Sequence, residues 1–281
     1  MRMVSSGNVQ IATQSFGRES DPPVLMIMGA TASMLGWPEH LCACLANNGF
    51  FVIRFDHRDT GKSTTVPFGE ARYSVEDMAD DALSVLDAYG LESAHLVGMS
   101  LGGLIAQLIA VDRKHRVRSL ALIASEPLGW AGEPMPEISP ALMTHFGKLT
   151  ELDWQDRDTV IRFLVEIDRL NSGKPGEFDI RNRRKHVEQV VARAENLPSM
   201  FNHASINTEG EWLDAYKRVT APTVVLQGVL DTVVHPDNAS ALHSGIRGAT
   251  LLLLSRAGHE LRDEDVPEIC AAISANAATS L

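Results

Sequence analysis

A serine flanked by glycines is the first group in this chain that has the setting of a nucleophile. Residues 98–102 read Gly-Met-Ser-Leu-Gly, the pattern G-x-S-x-G, between an apolar run and an Ala-rich apolar segment. That order predicts a strand, a sharp turn and a helix, with Ser100 at the turn. Gly98 and Gly102 leave room where strand and helix cross, and the helix N-terminus offers unpaired N–H groups. We therefore interpret Ser100 as a nucleophile rather than as an incidental serine in a glycine-rich turn.

A serine hydroxyl needs a base to accept its proton, and the base needs an acid to orient it. Asp231 follows the predicted strand 223–228, and His259 follows the predicted strand 250–254. The order Ser, Asp, His along the chain is typical of a nucleophile on a strand–turn–helix. Parallel strands also bring their carboxyl ends to one edge of a sheet. The sequence therefore predicts a triad of Ser100, His259 and Asp231.

Both partners of the serine have rivals in the sequence. Glu126 also follows a predicted strand and is the alternative acid, while the alternative reading of Asp231 is a turn residue. His235 and His203 are weaker candidates for the base, and the alternative reading of His259 is a histidine on a surface loop. We favour Asp231 and His259 because of their places after the last two predicted strands.

Acyl transfer further requires two hydrogen-bond donors for the oxyanion that forms on the substrate carbonyl. The backbone N–H of Leu101, directly after the serine, is one candidate. The second is expected from the loop after the predicted strand 24–28, where Ala30 holds the right position. We predict an oxyanion hole made of these two N–H groups.

Strands and helices alternate along most of the chain, which predicts an α/β fold with a mostly parallel central sheet flanked by helices. The strands bring the chemical groups together, and the helices between them cover the faces of the sheet. Val9–Ser15 alternates weakly and is predicted to be an edge strand. The other predicted strands lie at 24–28, 50–55, 94–97, 117–124, 223–228 and 250–254, and the clearest helix is 74–89, with Ser74 as N-cap and Asp77 three residues on.

The alternation stops between residues 126 and 212, where the sequence is helix-like, charged and interrupted by prolines. We interpret this block as a helical cap inserted in the core, so that the predicted domains are 1–125 and 213–281 for the core and 126–212 for the cap. The cap is expected to cover the edge of the sheet where the triad converges and to select the substrate. Residues predicted to line the substrate pocket are Met28, Trp37, Phe146, Trp154, Phe163, Phe201 and His203.

Composition excludes several classes of function. The formal net charge of −11 argues against binding to nucleic acid or to an anionic membrane. The three cysteines, Cys42, Cys44 and Cys270, show no metal-binding spacing and are expected to be free thiols in a reducing compartment. Residues 1–16 contain no long apolar run, so no signal peptide is expected, and the prediction is a cytoplasmic protein without metal or cofactor. Whether it forms a homo-oligomer is left open.

The motifs together resemble the α/β-hydrolase superfamily over nearly the whole chain outside the cap. Within it, Met28-Gly29-Ala30, Leu35-Gly36-Trp37-Pro38 and the run from Asp56 to Ser63 resemble the aclacinomycin methylesterase-like serine esterases. That resemblance implies the same triad and oxyanion hole, and a methyl ester of a polyketide as the kind of substrate. Many α/β-hydrolases have His-Gly where this chain has Met28-Gly29, so one hydrogen bond supporting the oxyanion loop is expected to be absent or replaced.

The sequence thus predicts a cofactor-independent hydrolase that cleaves a small carboxylic ester through an acyl-enzyme on Ser100. A lactonase, an amidase or a C–C bond hydrolase could use the same triad. A cofactor-free haloperoxidase and a ligand receptor with negligible turnover are the more distant alternatives. The run 56–63 is expected to tie down a loop beside the site rather than to react.

Overall fold

The computed structural model describes residues 1–279 and is built on an eight-stranded sheet. Its strands, labelled β1 to β8 in chain order, are Arg2–Ser6, Val9–Phe16, Pro23–Ile27, Phe51–Phe55, Ala94–Met99, Val117–Ile123, Thr223–Gly228 and Thr250–Leu254. The α-helices, labelled α1 to α8, are Glu39–Asn47, Val75–Ala88, Leu101–Asp112, Pro140–Phe146, Arg157–Asn171, Ile180–Arg193, Pro236–Gly245 and Val266–Ala278.

The strand order across the sheet is β1-β2-β4-β3-β5-β6-β7-β8. The strands from β4 to β8 along this order are parallel, and β1 and β2 join the sheet in antiparallel pairs. The predicted mostly parallel sheet is therefore confirmed. The prediction that Val9–Ser15 forms the edge is wrong, because β1 pairs with its outer side. The sequence of β1 is too short and too exposed to show a clear alternation.

Helices cover both faces of the sheet, as the buried strands require. One apolar core places α2, α3 and α7 on one face, and a second places α1 and α8 on the other. The predicted helix 74–89 is observed as α2, and its start is fixed by a capping box in which Ser74 and Asp77 bond each other's backbone N–H. Every residue of β3, β4, β5 and β7 is buried, and their sequences are apolar apart from a few buried polar residues, namely Arg54, His95, Thr223 and Gln227.

The prediction that all three cysteines are free is wrong, because Cys44 and Cys270 form a disulfide. The two residues are 226 positions apart and meet because α1 and α8 pack side by side on the same face of the sheet. Only packing brings them together, so a count of cysteines and their spacing could not show the pair. Cys42 is free and buried, and burial raises the pKa of its thiol to about 11.

The chain between β6 and β7, residues 124–222, is called the insertion below. It contains α4, α5 and α6 and several short 3₁₀ turns, and no strand within the part of the chain that is described. A separate apolar cluster holds these helices together. The exact limits predicted for the cap, 126 and 212, stay a prediction. No α-helix among residues 1–279 has both the length and the apolar character needed to cross a membrane.

Candidate active site

Ser100 lies at a sharp turn between β5 and α3. Its φ of 50° and ψ of −119° are sparsely populated by residues with a side chain, and such a conformation costs about 1–3 kcal/mol. The surrounding structure holds it there, since the Ser100 N–H donates to the carbonyl of Ile123 at 2.9 Å. A Cβ at Gly98 would collide with the carbonyl of Gly102, and one at Gly102 with the carbonyl of Ile27. Both glycines are therefore required for the helix to cross the strands this closely.

Asp231 and His259 form a hydrogen-bonded pair at the same edge of the sheet. The Asp231 Oδ2 lies 2.9 Å from His259 Nδ1, and the Asp231 side chain is fully buried while that of His259 is 11% exposed. The other carboxylate oxygen accepts the backbone N–H groups of Val233 and Val234 at 2.8 and 2.9 Å. Gln227 Nε2 donates to Oδ2 at 3.2 Å. These bonds fix the carboxylate, and among residues 1–279 His259 Nε2 has no hydrogen-bond partner.

The groups expected to meet a substrate are unpaired. Among residues 1–279 the Ser100 hydroxyl has no hydrogen-bond partner, and neither the Ala30 nor the Leu101 N–H donates to another group. The loop that carries Ala30 adjoins the nucleophile, since a Cβ at Gly29 would lie 3.3 Å from the Ser100 Cβ. The site can therefore offer a hydroxyl and two backbone donors to a carbonyl group.

Glu126, the alternative acid, lies next to the serine turn but is not bonded to His259. The hydroxyl of the preceding Ser125 donates to the Ser100 carbonyl at 3.0 Å, and Gln107 Nε2 donates to the Glu126 carbonyl at 2.9 Å. The Glu126 side chain is exposed. Desolvation by the surrounding chain raises the pKa of its carboxyl, and the nearby His259 ring opposes that rise. The geometry thus favours Asp231 as the partner of His259.

Two buried histidines bond to the backbone of the segment Met28–Thr31, which carries the predicted oxyanion donor Ala30 and is called the oxyanion loop below. The His57 Nε2 lies 2.8 Å from the Met28 carbonyl, and His203 Nδ1 accepts the Thr31 N–H at 3.1 Å. His203 Nε2 also contacts the Arg58 carbonyl at 2.9 Å. Burial lowers the pKa of His57 to about 3 and also lowers that of His203, so both rings are neutral at pH 7.

The run 56–63 connects the oxyanion loop to the insertion. This agrees with the prediction that the run holds a loop beside the site. Asp56 is buried and accepts the backbone N–H groups of Met34 and Lys62 at 2.8 and 2.9 Å. Arg193, at the end of α6, forms an ion pair with Asp56 at 2.6 Å. Burial raises the pKa of the Asp56 carboxyl, and Arg193 partly offsets that rise. The Asp56 carboxylate thus links the loop before α1, the run 56–63 and the insertion.

The insertion also touches the loop that carries His259. The His259 N–H donates to the carbonyl of Asn171, the last residue of α5, at 2.8 Å. A Cβ at Gly258 would collide with that same carbonyl, so the close approach depends on this glycine. Glu260 strengthens the contact, because its carboxylate accepts the Gly173 N–H at 2.9 Å.

The four aromatic residues predicted to line the pocket lie together in the insertion. The Phe201 ring is 6.4 Å from that of Phe146, 5.9 Å from Trp154 and 6.3 Å from Phe163. Phe163 and Phe201 are buried in the apolar cluster that joins the helices, and Phe146 and Trp154 are partly buried against it. This packing favours a role in holding the insertion together; contact with a substrate stays a prediction.

The other three residues predicted to line the pocket are also buried. Trp37 is completely buried in the core between the sheet and α1, and Met28 is 6% exposed. His203 is 4% exposed, and both its ring nitrogens contact backbone groups. A buried ring whose nitrogens are already bonded to backbone groups cannot offer those nitrogens to a substrate, and contact of the His203 ring with a substrate stays a prediction.

Sequence reasoning missed three groups that position the site, namely His57, Arg193 and Asn171. His57 stands in the run Asp56–Ser63, whose charged residues were expected to hold a loop, so the motif itself carried a signal. Arg193 and Asn171 lie at the ends of α6 and α5 and act across more than 80 residues of chain. Nothing in their local sequence marks them.

The chain is similar to known proteins in both sequence and fold. Residues 22–266 match the family model of the alpha/beta hydrolase fold. A rhodomycin D methylesterase from Streptomyces sp. strain C5 is 32% identical over 274 residues, with 92% of each chain covered. Among solved structures, an esterase from Exiguobacterium antarcticum superposes with a TM-score of 0.79 at 21% identity, covering 98% of each chain. The meta-cleavage product hydrolase CumD from Pseudomonas fluorescens has the same TM-score at 18% identity, covering 100% of this chain and 98% of its own.

Proposed function

This chain belongs to the α/β-hydrolase family, and from that premise we propose that it is a serine hydrolase that cleaves a carboxylic ester. The single observation that carries the proposal is the meeting of three features at one sheet edge. They are the strained Ser100 turn, the His259–Asp231 hydrogen bond and two unpaired N–H groups. A receptor without turnover would not need a nucleophile held in an unfavourable backbone conformation.

The roles follow from which atoms are free. His259 Nε2 accepts the proton of the Ser100 hydroxyl as the oxygen attacks the ester carbonyl. The N–H groups of Ala30 and Leu101 donate to the oxyanion of the tetrahedral intermediate. His259 then protonates the leaving alcohol, which leaves an acyl-enzyme on Ser100. A water molecule deprotonated by His259 attacks the acyl carbon, the bond to Ser100 Oγ breaks, and His259 returns the proton to Ser100 as the acid is released; Asp231 keeps the proton of Nδ1 in place throughout.

We propose a methyl ester of a small hydrophobic, polyketide-like molecule as the substrate. The support is the 32% identity to a rhodomycin D methylesterase across 92% of both chains, which includes the insertion. The structures of CumD and the Exiguobacterium esterase share the fold alone, so C–C bond cleavage has no specific observation in its favour.

The test is a panel of p-nitrophenyl esters and polycyclic methyl esters, run on the wild type and on Ser100→Ala. The proposal expects hydrolysis by the wild type and a loss on the order of 10⁴-fold or more in the variant, because the triad acts as a unit. Circular dichroism of both proteins checks that the variant is folded. If Ser100→Ala retains a tenth of the wild-type rate, the mechanism is refuted. Halide- and peroxide-dependent bromination without ester cleavage would move the function to a haloperoxidase.

A further inference from the structure

The oxyanion loop, Met28–Thr31, is bonded at both of its ends by a histidine. His57 contacts the carbonyl at the first residue, and His203 contacts the N–H at the last. The two rings meet edge to face, with centroids 5.9 Å apart. Ala30, whose N–H has no acceptor among residues 1–279, lies between the two bonded ends. The two rings therefore act on the peptide groups that flank the expected oxyanion donor.

The partners of the rings define which nitrogen carries the proton. The Thr31 N–H can only donate, so His203 Nδ1 is the acceptor and carries no hydrogen. The Arg58 carbonyl can only accept, so the hydrogen of His203 is on Nε2. The Met28 carbonyl likewise requires a hydrogen on His57 Nε2. Each ring is thus bonded in one tautomer, and the two nitrogens of His203 have different tasks.

The loop needs such support because its own backbone does not favour this shape. Thr31 has a φ of 63°, in the left-handed region that β-branched residues avoid. Gly29, two residues before it, is free to take many conformations. An oxyanion hole accelerates a reaction only when its donors already point at the developing charge. A loop with one strained and one flexible residue holds Ala30 in place only if its ends are fixed.

We propose that His57 and His203 are positioning residues that clamp the oxyanion loop so that the Ala30 N–H points at the substrate oxyanion. The inference rests on the proposed function of the site. The clamp also takes the place of the histidine that many α/β-hydrolases have directly before this glycine, where the chain has Met28. Two histidines distant in sequence supply the support that the loop itself lacks. His203 belongs to the insertion, in the 3₁₀ turn Leu197–Ala204, so the insertion completes the oxyanion hole.

The test exploits two amides that imitate different nitrogens of histidine. Asparagine places its carbonyl oxygen near the position of Nδ1, and glutamine places its NH₂ near the position of Nε2. His203→Asn keeps the acceptor for the Thr31 N–H, and His203→Gln keeps only the donor to the Arg58 carbonyl. At His57 the useful atom is the Nε2 donor, so His57→Gln is the conservative change and His57→Asn the disruptive one. The two positions therefore have opposite expected rankings.

We expect kcat for p-nitrophenyl acetate to fall at least about tenfold in His203→Gln and His57→Asn, since loss of a whole oxyanion donor costs about 10²–10³. The conservative variants His203→Asn and His57→Gln should stay within a few-fold of the wild type. KM should change little in all four, because the clamp acts on the transition state. Hydrogen exchange of the Thr31 amide, followed by NMR, should accelerate in His203→Gln and not in His203→Asn.

If the substitutions only destabilise the fold, kcat should fall in step with Tm in all four variants, and the two positions should not show opposite rankings. That result would refute the clamp. If one variant at position 203 does not fold, the pair at position 57 still decides. Equal kcat for asparagine and glutamine at both positions, in an enzyme whose wild type hydrolyses esters, refutes the clamp alone. A wild type that cleaves no ester refutes the proposed function, and the clamp with it.

Discussion

Replacement of Asp231 by asparagine is the most direct test of the proposed triad, because it exchanges one oxygen for an NH₂ group at nearly constant shape. Oδ1 of Asp231 accepts two fixed backbone N–H groups, from Val233 and Val234 at 2.8 and 2.9 Å. Only an oxygen can serve there, so the amide oxygen of the variant must take this place. The NH₂ group is then forced to the position of Oδ2, facing His259 Nδ1 at about the present 2.9 Å.

An NH₂ group cannot accept the proton of Nδ1, and the ring responds by changing its tautomer. The hydrogen moves to Nε2, the nitrogen that has to accept the proton of Ser100. The base is then blocked although the ring and the side chain at position 231 keep their places, while Gln227 Nε2, which donates to Oδ2 at 3.2 Å, has to turn away from the new NH₂ group. The expected loss in kcat is about 10⁴-fold, which corresponds to roughly 5 kcal/mol of transition-state stabilisation.

The assay is kcat and kcat/KM for p-nitrophenyl acetate, with Glu126→Gln as the matched control. Glu126 has no hydrogen bond to His259 in the described part of the chain, so its amide variant should lose less than about tenfold. Thermal unfolding of both variants separates inactivity from unfolding. If Asp231→Asn keeps a tenth of the wild-type kcat, or if Glu126→Gln loses as much, the tautomer argument fails and the acid role moves to Glu126.

Two further predictions concern stability. Phe201→Ala should lower the free energy of unfolding by about 3–5 kcal/mol, because the ring is buried against three aromatic neighbours. The ratio of kcat/KM between a short and a bulky aromatic ester should stay constant, and a changed ratio at constant Tm would return Phe201 to the pocket. Reduction of the Cys44–Cys270 disulfide should lower that free energy by about 2–4 kcal/mol, measured in urea with and without dithiothreitol. Cys42→Ser should respond to the reductant as the wild type does, and no response in the wild type would contradict the bond.

The strand–turn–helix that carries Ser100 could be predicted from sequence because all its requirements are local. The two glycines, the strand before them and the helix after them lie within about twenty residues, and steric exclusion alone demands their order. Asp231 and His259 needed one more step, the rule that parallel strands end at the same edge. Their hydrogen bond agrees with that rule, although nothing in either loop marks it.

Contacts between distant segments could not be predicted in the same way. The Cys44–Cys270 pair depends on two helices that happen to pack together on one face of the sheet. His203 contacts Thr31 across 172 residues, and its neighbours in sequence are those of an ordinary short turn. For such residues the local sequence indicates burial at most, and the partner is decided by the fold as a whole.

The separation expected from the sequence, with chemistry in the core and selectivity in the cap, therefore needs revision. The residues proposed to react lie outside the insertion, yet two contacts that hold their loops come from it. Asn171 accepts the N–H of His259, and His203 accepts the N–H of Thr31. One contact holds the loop of the proposed base and the other holds the loop of the proposed oxyanion donor. Movement of the insertion would therefore disturb proton transfer and oxyanion binding together, so a change made there to alter the choice of ester also acts on the rate of the chemical step.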